Sequence, residues 1–509
     1  MLARIWSASL IGIDALKVGV EVDLSGGLPG VVVVGLPDMA VQESRERVRA
    51  ALKNTGFAFP MRKVVINLTP ADVRKEGPIY DLPIAIGVLA AAEAVKSACL
   101  DDYLLLGEMS LDGTLRPVAG VVAIAAATKN LGLKGLLLPE ANAQEAAIVP
   151  GLKVYGFKKL SEVVDFLNCP KNYQPVKNSE PSALLNTPSA DLDLRDIKGQ
   201  MQARRALEIA AAGGHNLCLI GPPGSGKTML AKRLPGILPP LTFAEALEVT
   251  QIHSVAGLLK EKGQLINQRP FRSPHHSASG PSLVGGGSYP KPGEISLAHR
   301  GTLFLDELTE FKRSVLEFLR QPLEDGKVTI TRTRQSVEFP AQFTLVSSTN
   351  PCPCGYFGDT VQPCTCTPRH REQYWAKLSG PLMDRIDLQV IVGRLKPKEV
   401  TNQPNGEDSA AVRIRVEAAR KQAQARFKSS STLQCNADME SRHIRQWCQF
   451  DEATGLLIEG AVRKLGLSAR ATDRILKVAR TIADLENALE IESHHVAEAI
   501  QYRTIDRMQ

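Results

Sequence analysis

Residues 216–234 read NLCLIGPPGSGKTMLAKRL, and this stretch decides the fold of the chain around it. The apolar run LCLI predicts a buried strand, the pattern G-x-x-x-x-G-K-T follows it, and a helix opens at its end. Glycines here let backbone N–H groups wrap phosphate oxygens, while Lys227 neutralises the β- and γ-phosphates and Thr228 can bind Mg²⁺. A chance glycine-rich turn is the alternative, which the flanking strand and helix disfavour. The predicted nucleotide site comprises Gly221, Pro222, Pro223, Gly224, Ser225, Gly226, Lys227 and Thr228.

Two later strands end in polar side chains of the kind that nucleotide hydrolysis requires. The segment GTLFLDEL, residues 301–308, predicts a buried strand that ends in Asp306 and Glu307, and FTLVSSTN, residues 343–350, predicts a strand that ends in Asn350. Asp306 is suited to hold Mg²⁺ through its hydration shell, Glu307 to polarise the attacking water, and Asn350 to orient that water. Two solvated carboxylates would explain the first strand end alone, but not downstream of a phosphate-binding loop.

These three strand ends, in this order, resemble the Walker A, Walker B and sensor 1 motifs of the AAA+ ATPases. The resemblance implies that Arg385, in SGPLMDRIDLQV (379–390), is an arginine finger that reaches a neighbouring subunit's nucleotide and stabilises transition-state charge. It also implies that Arg470, in LSARATDRILKVARTIADLE (467–486), is the sensor 2 residue of a helical lid, with Arg474 as the alternative. Without the other motifs, each would be read as a solvated surface arginine.

Two insertions in the nucleotide-binding segment resemble those of the magnesium-chelatase and MCM-like branch of AAA+ proteins. Residues 270–307, which begin PFRSPHHSAS, resemble its helix-2 insert, and 323–343 predict a hairpin with Arg332 and Arg334 near its tip. In that branch both insertions face the central pore of a hexamer. The resemblance makes Lys291, Arg332 and Arg334 candidates for gripping DNA phosphates without reading sequence, with solvated loop charges as the open alternative.

The first 168 residues alternate predicted strands and helices and indicate a compact α/β domain. Residues 107–146 closely resemble the proteolytic domain of Lon, which has a ribosomal S5 domain 2-like fold. That family uses a serine and a lysine as a catalytic dyad. Ile79 stands at the serine position, and residues 119–124 carry no lysine, with Val122 at a candidate position. Neither isoleucine nor valine can act as nucleophile or base, so we expect a Lon-like fold that lacks the Ser–Lys dyad.

Together these features resemble one family over nearly the whole chain, the ComM/YifB family of magnesium-chelatase-like AAA+ proteins. The motifs PFRSPHHSAS, NPCPCG and LSARATDRILKVARTIADLE are highly specific to it. The resemblance implies a homo-hexameric motor that uses ATP and Mg²⁺ and acts on single-stranded or branched DNA. It further implies a branch-migration helicase that promotes integration of incoming DNA in natural transformation, with recombination proteins among its candidate partners.

Four of the nine cysteines lie within 15 residues and predict a metal site. Cys352 and Cys354 form one C-x-C pair, and Cys364 and Cys366 form another. Four thiolates could hold one structural Zn²⁺ in a tetrahedral site, and a site without an open position is not expected to be catalytic. Free thiols and an iron–sulfur cluster are the alternatives. The scattered cysteines are expected to be structural: Cys99, Cys169, Cys218, Cys435 and Cys448.

The sequence predicts an α/β protein with three domains and one linker. Residues 1–168 form the Lon-protease-like domain, and 169–190, with four prolines and no hydrophobic period, form the linker. Residues 191–395 form the AAA+ ATPase domain, which carries the Cys₄ insertion 352–366. The remaining residues, 396–509, form the helical lid.

The charge of the chain indicates where a polyanion could bind, and its hydropathy argues against a membrane partner. The chain has 61 basic and 54 acidic residues, for a net charge of +7, and the excess lies after residue 168. A polyanion would therefore bind the C-terminal two-thirds. No run approaches the about 20 apolar residues of a membrane helix, and the N-terminus lacks a clean signal-peptide cleavage site. We expect a soluble, cytoplasmic protein without a membrane partner.

The leading hypothesis is an ATP-driven DNA motor, and the sequence leaves alternatives open. A chelatase-type motor subunit that drives metal insertion into a porphyrin would share the same ATP site. An AAA+ remodelling protein of unknown substrate would also share it. An ATP-dependent protease conflicts with Ile79 and Val122, and a non-enzymatic scaffold conflicts with the complete set of nucleotide-site residues.

Overall fold

The computed structural model divides into two compact units. The first unit comprises Met1–Asn186, Thr242–Asn267 and Thr333–Phe339. The second comprises Thr187–Leu241, Gln268–Arg332 and Pro340–Gln509. The residues that the structure describes are 2–95, 99–178, 192–259, 263–287, 290–332, 335–378, 380–395, 406–428, 430 and 433–503.

The first unit is built on a seven-stranded mixed sheet. The spatial order of its strands is Gly30–Val34, Lys63–Thr69, Asp14–Ser25, Leu2–Ile11, Tyr103–Leu105, Gly135–Pro139 and Lys153–Phe157. Asp14–Ser25 runs antiparallel to both of its neighbours, and all other pairings in the sheet are parallel. A small separate sheet pairs Glu108–Met109 with Leu115–Arg116.

Helices cover the sheet of the first unit and bury its apolar side chains. The α-helices are Met39–Asn54, Asp81–Ala91, Val121–Asn130, Glu140–Ala146, Leu160–Asn168 and Phe243–Ala256. Asp38 caps the N-terminus of helix Met39–Asn54: its side chain accepts a hydrogen bond from the Val41 N–H at 2.8 Å. Every residue of Asp81–Ala91 is buried, as its alanine-rich sequence predicts.

Helix Phe243–Ala256 belongs to the first unit, although the sequence predicts it within the ATPase domain. It begins with a capping box between Thr242 and Glu245 and packs against helix Val121–Asn130. Near its end, the Ser254 hydroxyl donates a 2.6 Å hydrogen bond to the carboxylate of Glu145, and both residues are buried. The predicted ATPase domain is therefore discontinuous.

The start of the predicted linker is also part of the first unit. Tyr173 packs edge-on against Phe157 and Phe166, with ring centroids 5.8 and 5.5 Å apart. The Val176 N–H donates to the Val154 carbonyl at 2.8 Å. These contacts order residues 169–178, because aromatic packing and a backbone hydrogen bond offset the loss of chain entropy there.

The second unit contains a five-stranded parallel sheet. Its spatial order is Phe271–Arg272, Thr302–Leu305, Thr344–Thr349, Leu217–Ile220 and Leu388–Ile391. The three middle strands are completely buried, as expected for a parallel sheet covered on both faces. Because all five strands are parallel, their carboxyl ends lie at one edge, where such sheets bind ligands.

The helices of the second unit include those of the predicted lid. Helix Met201–Gly213 packs against Ser409–Arg426 and Ala469–Leu485, and their buried faces share one core with strand Leu217–Ile220. The other α-helices are Lys227–Ala231, Leu234–Ile237, Gly280–Val284, Glu294–Leu297, Arg313–Glu317, Arg320–Asp325, Pro368–Trp375, Gly380–Met383, Ser441–Trp447, Glu452–Leu465 and Ser493–Gln501.

Both predicted insertions contain a pair of short strands. Gly285–Gly286 pairs with Lys291–Pro292, and Lys327–Arg332 pairs with Gln335–Pro340 as the predicted hairpin. Within the described part of the chain, no helix combines the length and the apolar character needed to span a bilayer.

A buried ion pair in the first unit gives a test of its packing. The Asp81 side chain is fully buried and accepts hydrogen bonds from the Arg47 guanidinium at 2.8 and 3.1 Å and from the Met109 N–H at 3.1 Å. These contacts raise the pKa of Arg47. Asp81→Ala removes the carboxylate that pairs with the Arg47 guanidinium and accepts from the Met109 N–H, and it should lower the free energy of unfolding of this unit by about 3 kcal/mol.

Urea unfolding followed by circular dichroism checks this expectation, with Arg4→Ala as the matched control. Arg4 pairs with Glu21 at 2.9 Å, but its side chain is 51% exposed, so its loss should cost less than about 1 kcal/mol. Equal shifts for the two variants would contradict the prediction.

Candidate active site

The predicted phosphate-binding loop joins strand Leu217–Ile220 to helix Lys227–Ala231. Gly226 precedes the helix with φ +92°, a left-handed conformation that glycine adopts without steric cost. At Gly221 a Cβ atom would lie 2.1 Å from the Val392 carbonyl oxygen, so only glycine fits there. The loop thus turns sharply into a helix N-terminus, a geometry that suits phosphate binding.

The Lys227 ammonium connects this loop to the neighbouring strand. Its Nζ donates to the carbonyl oxygens of Gly221 at 2.7 Å and Pro222 at 3.0 Å, and to Oδ1 of Asn350 at 3.3 Å. Burial lowers the pKa of Lys227, and the nearby carboxylates of Asp306 and Glu307 oppose that effect. Lys227, at the start of its helix, and Asn350, just after strand Thr344–Thr349, are therefore in direct contact.

The two predicted Mg²⁺-binding groups also meet. The Thr228 hydroxyl donates to Oδ2 of Asp306 at 2.9 Å, and the Ser348 hydroxyl donates to its Oδ1. A hydroxyl and a carboxylate oxygen, completed by phosphates and water, form the oxygen-rich donor set that Mg²⁺ prefers. The residues present fit the ion, and Ser348 is a neighbour that the sequence motifs did not predict.

Glu307 lies beside this pair in an unusual backbone conformation. Its φ is +54°, and its N–H donates to the Ser348 hydroxyl at 3.2 Å. A non-glycine residue in the left-handed region is uncommon and is often associated with function. Oε2 of Glu307 lies 3.8 Å from Nδ1 of His276, which comes from the PFRSPHHSAS motif. The motif was noted in the sequence, but the contact of His276 with Glu307 was not predicted.

The predicted arginines lie together in a different place. Arg385, Arg470 and Arg474 line one cavity of 320 Å³, and none of the described residues around this cavity belongs to the phosphate-binding loop. The Arg385 side chain is 12% exposed, forms an ion pair with Glu324, and donates to the Pro381 carbonyl at 2.6 Å. The finger and sensor 2 candidates therefore share a surface within one subunit.

The structure separates the two sensor 2 candidates by environment. Arg470 is exposed at the start of helix Ala469–Leu485. Arg474 is mostly buried, its Nε lies 3.9 Å from Oδ1 of Asp387, and burial lowers its pKa. Arg474 is thus mostly buried near Asp387 of its own unit, whereas Arg470 is accessible.

The DNA-binding candidates are described only in part. Lys291 is exposed on the short strand Lys291–Pro292. Arg332 ends strand Lys327–Arg332, but its side chain lies outside the described residues, as does the whole of Arg334. Their predicted contacts with phosphates stay a prediction.

The positions that correspond to the Lon dyad are apolar in the first unit. Ile79 lies in the short 3₁₀ helix Pro78–Tyr80 and packs against the hydrophobic cores, and Val122 is fully buried. These two side chains supply neither a nucleophile nor a base at the positions where the dyad is expected.

The four clustered cysteines converge in space. Sγ of Cys352 lies 3.3 Å from Sγ of Cys354 and 3.7 Å from that of Cys364, which is 3.6 Å from Cys354. All four sulfurs, including that of Cys366, lie within 4.8 Å of one another. Four sulfurs bound at ~2.3 Å around a tetrahedral zinc ion would lie ~3.8 Å apart, so the cluster has a suitable size.

Backbone N–H groups point at these sulfurs. The Cys354 N–H donates to Sγ of Cys366, and the Cys366 N–H donates to Sγ of Cys364, both at 3.4 Å. Such bonds stabilise thiolates and orient them toward a metal ion. The residues fit a structural zinc site.

A second group with metal-ligand side chains has a different explanation. Glu486, His494 and His495 place one ligand atom each within 4.8 Å of one another. However, Nδ1 of His495 accepts from the Glu492 N–H at 2.9 Å, which assigns the ring proton to Nε2. That proton is donated to Glu486 at 3.2 Å, so Nε2 has no free lone pair for a metal.

Three family models match successive parts of the chain. The model described as magnesium chelatase, subunit ChlI, matches residues 193–400. The model described as subunit ChlI of Mg-chelatase matches residues 20–142, and the ChlI C-terminal model matches residues 406–503.

Full-length relatives decide the family. The uncharacterized protein YifB of Salmonella typhimurium is 44% identical over 512 residues, covering 100% of this chain and 98% of YifB. The competence protein ComM of Haemophilus influenzae is 44% identical with the same coverage. The chain belongs to the ComM/YifB family. Lon protease 2 of Bacillus subtilis is 28% identical over 137 residues, 26% of this chain and 24% of Lon protease 2.

These matches confirm two predictions. The first is the ComM/YifB family, which the motifs predict. The second is the α/β fold class, because the magnesium-chelatase match, the similarity to Lon and the observed sheets all agree with it. A magnesium-chelatase-like AAA+ protein of the ComM/YifB family uses ATP and Mg²⁺.

The cysteine geometry predicts one zinc ion per chain. Purified protein should contain about one equivalent by plasma mass spectrometry, and Cys364→Ser should lose it because a tetrahedral thiolate site needs four ligands. Cys169→Ser, which changes an exposed cysteine outside the cluster, should retain the metal. Clearly less than one zinc without iron would contradict the site, and stoichiometric iron would indicate an iron–sulfur cluster instead.

Proposed function

We propose that this protein is an ATP-hydrolysing, homo-hexameric DNA motor, and specifically a branch-migration helicase that promotes integration of incoming DNA. The observation that carries the ATPase part is the convergence of Lys227, Thr228, Asp306 and Asn350 beyond the carboxyl ends of three neighbouring parallel strands. The DNA part is supported by the name of the relative ComM, a competence protein. Competence is the ability of a cell to take up DNA, so DNA is the proposed substrate of the motor.

The proposed hydrolysis follows from the positions of the side chains. The N–H groups of the loop and the Lys227 ammonium would bind the phosphates of ATP, and Thr228 and Asp306 would hold Mg²⁺. The ion, when bound, neutralises charge on the β- and γ-phosphate oxygens. Glu307, which is 56% exposed beside this site, would polarise the attacking water, and Asn350 would orient it.

The arginines would complete the site of a neighbouring subunit. Arg385 and Arg470 line a cavity that is separate from the phosphate-binding loop of their own chain, which favours their action in trans. Arg385 would have to exchange its ion pair with Glu324 for the γ-phosphate. Because Glu324 is 62% exposed, that pair is weak enough to open. Arg470, rather than the buried Arg474, is our proposed sensor 2.

DNA would be moved by basic groups on the insertions. Lys291 is exposed, and the residues after 168 carry the whole positive excess of the chain. Phosphate contacts of this kind are independent of sequence, which a motor on incoming DNA requires. Arg332 and Arg334 are the remaining proposed contacts, and recombination proteins are the proposed partners.

A chelatase-type motor is the second candidate function. The family models that match this chain carry the description magnesium chelatase, which favours it. ATPase assays with and without single-stranded and branched DNA separate the candidates. Stimulation by DNA supports the helicase, whereas magnesium insertion into a porphyrin without DNA stimulation would support the chelatase.

Glu307→Gln should separate ATP binding from hydrolysis. The amide retains the shape of the side chain but cannot polarise water, so the ATPase rate should fall by roughly 10²-fold or more. Nucleotide affinity should change little, and ATP-bound protein should hold branched DNA without unwinding it. Unwinding at the wild-type rate would contradict the assignment. Glu310→Gln is the control. Glu310 lies three residues after Glu307, and the variant should retain activity.

Mixing two inactive variants tests whether Arg385 acts in trans. Lys227→Ala and Arg385→Ala should each lower the ATPase rate by roughly 10³-fold. In a mixture, the Arg385→Ala subunit retains an intact nucleotide loop, and a Lys227→Ala neighbour supplies the missing arginine. Activity should therefore reappear and depend on the mixing ratio. A mixture as inactive as its components would contradict action in trans.

A further inference from the structure

The cysteine loop, residues 352–366, packs directly against the phosphate-binding loop. Gly355 is buried with φ +88°, and a Cβ atom at this position would lie 2.8 Å from Cδ and 3.1 Å from Cγ of Pro223. Contacts below 3.0 Å are not tolerated without movement, and a proline ring is rigid. The backbone at Gly355 therefore lies against the third residue of the nucleotide motif.

The same loop begins at the proposed sensor residue. Asn350, which accepts a hydrogen bond from Lys227, is two residues before Cys352. Between them, the buried Pro351 carbonyl accepts from the Trp375 indole N–H at 3.2 Å. The cysteine loop is thus connected to the nucleotide site at two points, through the chain at Asn350 and through packing at Pro223.

The loop has little regular structure of its own. Residues 352–366 are all described, and they contain neither a helix nor a strand. Its outer part is held by Arg371, whose guanidinium lies 4.1 Å from the Phe357 ring centroid, and by Arg394, 3.7 Å from the carboxylate of Asp359. A segment without backbone ladders depends on its cross-link, and here the four thiolates would supply that cross-link through a metal.

We propose that the metal-bound cysteine loop supports one side of the nucleotide site, so that the affinity for ATP is higher when the metal is bound. The metal fixes the loop, Gly355 supports Pro223, and the start of the loop fixes Asn350. Loss of the metal releases both supports and lets the phosphate-binding loop relax. The inference rests on the proposed ATP site but is independent of the DNA substrate.

Gly355→Ala tests the contact without touching a metal ligand. The variant should retain about one zinc ion, yet its Cβ should displace Pro223 and lower the affinity for a fluorescent ATP analogue by roughly tenfold. Gly358→Ala is the matched control in the same loop. Gly358 has a similar φ of +79°, and no atom lies within 4 Å of its Cβ position, so affinity should change by less than about twofold.

A compensating substitution and metal removal complete the test. Pro223→Ala removes the two ring atoms that collide, so the double variant Gly355→Ala/Pro223→Ala should bind the analogue more tightly than Gly355→Ala. Cys364→Ser/Cys366→Ser should lose zinc and lose affinity to a similar extent, with folding checked by circular dichroism. If this variant does not fold, the comparison of Gly355→Ala with Gly358→Ala decides.

Three outcomes overturn the inference. Wild-type affinity in Gly355→Ala shows that the contact is not needed, and equal losses in Gly355→Ala and Gly358→Ala show backbone strain rather than contact. Undiminished affinity in folded, zinc-free protein shows that the metal is dispensable. Failure of the wild-type protein to bind the analogue at all would overturn the proposed ATP site, and this inference with it.

Discussion

Parallel pairing of strand Leu217–Ile220 with Thr344–Thr349 is the constraint on which the nucleotide site depends. The pairing aligns Ile220 with Thr349, so that the loop after the first strand faces Asn350 after the second. The next strand, Thr302–Leu305, is parallel as well and ends beside the same edge. Three polar strand ends that are far apart in the chain thereby come within hydrogen-bond distance of one another.

The sequence signals for this part of the molecule are local, and the structure brings the residues that carry them close together. A glycine-rich loop between a strand and a helix is encoded in consecutive residues, and Asp306 and Asn350 each directly follow a predicted strand. The side chains that support them are less visible. Ser348 lies inside a strand that looks merely polar, and its role depends on facing Asp306 across the sheet.

The division of the chain could not be predicted in the same way. Helix Phe243–Ala256 has ordinary capping signals and nothing in its sequence that indicates its partner. Its hydrogen bond to Glu145 spans 109 positions, and contacts at such separation leave no local pattern. The same holds for the lid. The amphipathic pattern of its helices predicts that each buries one face, but it does not predict that these faces share a core with helix Met201–Gly213.

The discontinuous first unit has a consequence for any attempt to take the molecule apart. The chain passes between the units at five points, after residues 186, 241, 267, 332 and 339. Proteolysis after residue 186 would place helix Phe243–Ala256 on the C-terminal fragment, although it packs with the N-terminal one. A truncation that starts at the nucleotide-binding segment would expose the apolar face of that helix to water. Gene fragments cut at the apparent linker therefore do not correspond to the folding units of this protein.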